Sequence, residues 1–175
     1  GSTTTTINVA DGTSPISAIA KANMPAVVSI VNNSSTTYND VFFGRNYTQE
    51  TKASGSGVII STDGYIVTNY HVISDAKEIT VLLTDDRTFT AQSVGYDAVS
   101  DLAVLHINAQ DLTPARFGNS DSLRVGDTVV AIGDPLGVEF RGTYTNGIVS
   151  AINRDVEVNG RTMTLIQTNA APVSY

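Results

Sequence analysis

The 175-residue sequence contains no cysteine and no tryptophan, only two histidines and five prolines, and no long apolar run. Without cysteine there is no disulfide, no thiolate nucleophile and no thiolate-held metal. That absence leaves the compartment open, since exported and cytosolic proteins alike can lack the residue. Two histidines, His71 and His106, with no cysteine partners argue against a zinc centre. The longest apolar stretches, such as Ala26 to Val31, are far too short to cross a bilayer, so no transmembrane helix is expected. Basic side chains are also scarce, 10 Lys and Arg against 17 Asp and Glu for a net charge of −7. The resulting field repels phosphate, and nucleic acid is not an expected partner. The start, Gly1-Ser2-Thr3-Thr4-Thr5-Thr6, has no basic segment followed by an apolar one, so no signal peptide is read there. Gly1-Ser2 also has the form of a cloning scar. The glycines show no phosphate cradle: Gly55-Ser56-Gly57 runs into a strand rather than opening a helix.

What is present is enough apolar material, 41% of residues, to bury an ordinary core as one large domain or two small ones. Ser14-Pro15 predicts a short helix start, with Ile16, Ile19 and Ala20 on one face, and Pro25 prevents its continuation. After Pro25, helical periodicity nearly vanishes. Apolar runs of strand length recur between turn residues at Ala26–Val31, Val58–Ile60, Tyr65–Val67, Ile79–Leu83, Phe89–Val94, Leu102–Ile107, Thr128–Ile132 and Gly147–Ile152. Asp63-Gly64 and Asn159-Gly160 supply turns that need positive φ. The fold class is therefore mostly β, a barrel or sandwich. Between Asn32 and Ser54 no clear period is visible, and a functional or mobile loop is expected there. The sequons at Asn33 and Asn46 matter only in a glycosylating pathway.

His71 stands at the end of the strand begun at Tyr65, and Asp101 opens the Leu102 strand. An imidazole near its ordinary pKa accepts a proton at neutral pH, and a carboxylate on its other nitrogen selects the tautomer and stabilises the cation formed. The pair suits general-base catalysis, although its spacing alone does not establish that role. His106, near the end of its strand, reads as a rim or surface histidine, and Ser56, between two glycines in an early strand, as structural.

The surrounding segments carry a more specific signal. Ser54-Gly55-Ser56-Gly57-Val58-Ile59-Ile60, Gly64-Tyr65-Ile66-Val67-Thr68-Asn69-Tyr70-His71-Val72 and Asp101-Leu102-Ala103-Val104-Leu105 resemble, in order and separation, successive motifs of the HtrA/DegP family of chymotrypsin-like serine proteases. So do Gly126-Asp127, Ala131-Ile132-Gly133-Asp134-Pro135-Leu136-Gly137, Gly147-Ile148-Val149-Ser150-Ala151 and Ile166-Gln167-Thr168-Asn169-Ala170-Ala171. The resemblance implies two six-stranded β-barrels, with His71 as general base and Asp101 as its orienting partner. It divides the chain into a tail at 1–13, a first barrel at 14–112 and a partial second barrel at 113–175. It also implies unfolded polypeptide or peptide substrates, an extracytoplasmic location, frequent trimeric assembly through N-terminal segments, and no cofactor.

In the family, the segment matching Ala170-Ala171 continues as Ile-Asn-Pro-Gly-Asn-Ser-Gly-Gly, which places the nucleophilic serine at about position 177, past Tyr175. Asn169 stands where the family often has aspartate, and Ser174 lacks the glycines that would shape an oxyanion hole. The expectation is a protease-type domain that lacks its nucleophile and is inactive as given. The strands after Thr128 would then carry unpaired edges, so completion by another copy or partner, or partial disorder after about residue 112, is expected. Two other readings are a non-catalytic peptide-binding relative and an acidic all-β adhesion domain. The latter does not explain why the His71 and Asp101 segments occur in family order.

Overall fold

The structure is a computed structural model that describes residues 13–40, 45–133, 143–158 and 161–171. The N-terminal tail through residue 12, Asp134 to Gly137, the Asn159-Gly160 turn and Ser174 lie outside the described residues. Helix α1 (Pro15–Asn23) begins at proline, as expected, and a short 3-10 turn at Met24–Ala26 leads into the strands. These are β1 (Val27–Asp40), β2 (Arg45–Ile59), β3 (Tyr65–Asn69), β4 (Glu78–Leu82), β5 (Thr88–Asp97), β6 (Leu102–His106), β7 (Thr128–Gly133), β8 (Thr143–Val158) and β9 (Arg161–Thr168). A four-residue helix, α2 (Tyr70–Ile73), follows β3 directly.

The chain divides into two compact units. In one, which contains Pro25–Ala115, the strands close into a six-stranded barrel in the order β1-β2-β3-β6-β5-β4. Period-2 alternation turns one row of each strand inward: Val28 and Ile30 from β1, Ile66 from β3, Ile79 and Val81 from β4, and Ala103 and Leu105 from β6 are buried. Burying one isoleucine or leucine in such a core contributes about 1.5–3 kcal/mol. In β6 Ala103 and Leu105 form the buried row, which Ile107 continues just past the strand, and Leu102, Val104 and His106 face the other way. The second unit gathers α1, Arg116–Ile132 and the strands from Thr143 onward. Its described residues hold a three-stranded sheet in the order β7-β8-β9, and Ser17 Oγ of α1 lies 3.3 Å from the Tyr144 hydroxyl of β8. Among the described residues no helix is long and apolar enough to cross a membrane.

The stretch from Asn32 to Ser54 corrects the sequence reading. Its described residues form an antiparallel ribbon: β1 pairs with β2 from Val27↔Val58 to Asp40↔Arg45. β1 also pairs with β4, but only over Ser29–Asn33, and β2 pairs with β3 only over Gly57–Ile59. Beyond those points the two strands pair with each other, and their sequence shows no apolar alternation that would reveal a strand.

The hairpin between β2 and β3 depends on Gly64. Its φ is +101°, and a Cβ there would sit 2.0 Å from the Ile107 carbonyl oxygen, while its own carbonyl accepts the Ile107 N–H at 3.0 Å. Gly64→Ala is expected to destabilise the fold by about 2 kcal/mol or more, the sum of left-handed strain and a backbone clash. Urea-unfolding midpoints of the two proteins would measure it.

Candidate active site

β3 and β6 are distant in sequence but adjacent in the barrel, with Asn69 opposite Leu102. The chain leaving β3 and the chain entering β6 therefore meet at one end of the barrel. His71 is the second residue of α2 and Asp101 the last residue of the turn before β6, so each lies just outside the strand to which the sequence reading assigned it. The reason is local: helix and turn leave both backbones free to aim side chains at each other, which the fixed alternation of a strand would forbid.

The contact is dense. Asp101 Oδ1 accepts the His71 backbone N–H at 2.9 Å, and Oδ2 lies 2.6 Å from His71 Nδ1. The Asp101 carbonyl accepts the Tyr70 N–H at 3.1 Å and Asn69 Nδ2 at 3.0 Å. Asp101 itself adopts φ +55°, a left-handed conformation that aspartate reaches more readily than most residues. Because an ionised carboxylate only accepts hydrogen bonds, the proton between the two groups belongs to Nδ1, which in a neutral ring leaves the lone pair on Nε2. The His71 side chain is 72% exposed and that of Asp101 43%, so the pair is open to a reactant.

His71 is seated from behind by residues the sequence reading passed over. Asn32, only 4% exposed, donates through Nδ2 to the carbonyls of Val72 at 3.1 Å and Ser74 at 2.9 Å, tying the end of α2 to β1. Its Oδ1 is buried without a partner among the described residues. A signal was available, because Asn32 continues the inward row Val28, Ile30 and was instead counted as the start of a polar loop. A Cβ on Gly55 would approach Val72 Cγ2 to 2.6 Å, so the bare glycine of β2 makes room for the residue following His71.

The other candidates separate cleanly. His106 is half-buried at the end of β6, where its Nε2 donates to the Asp63 carbonyl at 2.9 Å and its ring lies 4.9 Å from that of Tyr65. It holds the hairpin turn and takes no part in the His71 pair. Ser56 lies within β2, and its carbonyl accepts the Thr68 hydroxyl at 2.8 Å. Among the described residues no three His, Asp or Glu side chains converge as metal ligands would.

The Asp101 carboxyl is held below its ordinary pKa. The His71 backbone N–H bond is the main cause, desolvation opposes it, and the ring bond and charge of His71 add to the lowering. A carboxyl whose pKa is lower in the folded state adds stability above its unfolded pKa, and this is lost as pH falls through the folded value. The stability difference between wild type and Asp101→Asn should therefore be largest at neutral pH and shrink as pH drops through the acidic range. Urea unfolding followed across that range would read it; a difference independent of pH would contradict the assignment.

The family model described as "Trypsin-like peptidase domain" matches residues 55–174. A probable periplasmic serine endoprotease DegP-like of Hahella chejuensis is 48% identical over 134 residues, covering 74% of this chain and 28% of that protein. A serine protease Do-like HtrA of Bacillus subtilis is 40% identical over 173 residues, covering 92% of this chain and 38% of that protein. The solved structure of the HtrA-type protease AlgW with a decapeptide superposes with a TM-score of 0.72 at 37% identity, over 87% of this chain and 51% of that one. The chain thus spans well under half the length of these curated relatives and about half of the solved protein. A closed six-stranded barrel with a histidine and an aspartate joined at its end, matched by that family model over most of the chain, shows that the chain belongs to the trypsin-like peptidase family as an HtrA-like domain of chymotrypsin fold.

Proposed function

We propose that the chain supplies the general base and its orienting acid to an HtrA/DegP-like serine endopeptidase that cleaves unfolded polypeptides by acyl transfer. The observation that carries the reading is the doubled bond from Asp101 to the His71 N–H and Nδ1. It fixes the ring and leaves Nε2 to take the hydroxyl proton of a serine as its oxygen attacks the peptide carbonyl. The same nitrogen later returns the proton to the leaving amine, and water repeats the sequence to release the acyl group. Asp101 stays ionised throughout and stabilises the imidazolium. The nucleophile in this reading is the serine that the family pattern places at about position 177. The description of one relative as periplasmic supports an extracytoplasmic site of action.

In a longer protein carrying the Gly-Asn-Ser-Gly-Gly segment, His71→Ala should lower peptide cleavage by about 10⁴-fold or more while peptide binding persists. Unchanged cleavage would refute the role. A polypeptide of these 175 residues alone should not react with a fluorophosphonate, and intact-mass detection of an adduct on Ser174 would overturn that expectation.

A further inference from the structure

We propose that Tyr96 and Asp97, consecutive on β5, are the positioning residues of the His71–Asp101 pair: Tyr96 steadies the helix carrying His71 by stacking on Tyr70, and Asp97 shapes the turn presenting Asp101. The proposal rests on the reading of that pair as base and orienting acid.

Asp97 pairs with Leu102 across β5 and β6, so the intervening turn is the segment that ends at Asp101. Within it, Asp97 Oδ1 accepts the Val99 N–H at 2.9 Å. Oδ2 accepts the Ser100 N–H at 3.3 Å and its hydroxyl at 2.8 Å. Three bonds from one carboxylate thus set the path of the backbone immediately before Asp101, which must enter the left-handed region at φ +55°. An aspartate at the first position of such a turn substitutes its side chain for a backbone acceptor, which is why a carboxylate is suited to this position.

Tyr96 acts on the other partner. Its ring stacks on Tyr70 with centroids 4.5 Å apart and planes 20° from parallel, although Tyr96 is 63% exposed. Tyr70 opens α2, donates its N–H to the Asp101 carbonyl and is followed directly by His71. A bulge makes the stack possible. The β5–β6 register shifts between Ser93 and Gly95, so that Tyr96 stands opposite the inward-facing Ala103. Without the extra residue, Tyr96 would oppose Leu102 and point to the outer face, away from Tyr70. Bulges beside functional sites characteristically re-aim a side chain in this way.

The test uses the full-length protein. Asp97→Ala and Tyr96→Ala should each lower kcat by about ten- to a hundredfold with KM unchanged, as expected when reacting groups are misplaced by less than an ångström or two. Tyr96→Phe, which keeps the stack, should retain wild-type kcat. In ¹³C-aspartate-labelled protein, the Asp101 carboxyl should titrate at higher pH in Asp97→Ala than in wild type, because its bonds to His71 loosen. If either alanine variant does not fold, Tyr96→Leu and Asp97→Asn carry the same expectations. A fall in kcat without the Asp101 shift in Asp97→Ala, a rise in KM alone, or wild-type behaviour in both measurements overturns the proposal. The titration needs no cleavage, so it still judges the positioning if His71→Ala leaves cleavage intact and the base has been misassigned.

Discussion

The Asp101 carboxylate accepts two hydrogen bonds from a single residue, one from the His71 backbone and one from its ring, and the local structure is arranged around that double acceptance. A carboxylate bonded to the ring alone could swing with it. Anchoring the second oxygen to the peptide N–H ties ring orientation to backbone position, so the imidazole is aimed by the fold as well as by its own torsions. The geometry requires a helix start where β3 ends, a left-handed residue where β6 begins, and adjacency of those strands in a barrel. None of the three is stable alone. A four-residue helix lies far below the length that persists in water, and it stands here because Val72 and Ile73 are buried in the barrel core.

How legible this was in the sequence depended on whether a residue faced the core. The barrel strands announced themselves through alternation, since Val28 and Ile30, Val81, and Ala103 and Leu105 face one interior. The β1–β2 ribbon past Asn33 and Lys52 gave no such signal, because its polar sequence has no apolar alternation and backbone pairing does not depend on one. Likewise α2 is too short to show a period, so His71 was read at the end of a strand. His71 and Asp101 were legible as chemistry and as family motif; their meeting was not, because it depends on β3 lying beside β6. Asn32 and Asp97 were missed for a different reason. Asn32 works through bonds to backbone carbonyls and Asp97 mainly through backbone N–H groups, with the Ser100 hydroxyl added, and bonds to the backbone leave no mark in the pattern of side chains.

Asn32 is the harder of the two to explain by stability alone. A buried amide whose oxygen lacks a partner carries a desolvation penalty of about 1–3 kcal/mol, which its two donated bonds offset in part. An apolar residue would complete the row of Val28 and Ile30 without that penalty, but would leave the carbonyls at the end of α2 without this donor. The side chain therefore favours placement of α2 over packing.

Asn32 also sits where β1 pairs with β4, opposite Ile79, as well as with Ala53 of β2. The residue gripping the His71 helix is thus held by ladders on both sides, within the part of β1 that closes the barrel. Fraying of α2 must break side-chain bonds whose other end cannot move without opening the barrel seam. Local opening of α2 is thereby coupled to the strand pairing of β1, because the donor that holds the helix end is fixed in two ladders. The exposed imidazole is thus free to meet a reactant while its aim is maintained by the barrel strand that holds its helix.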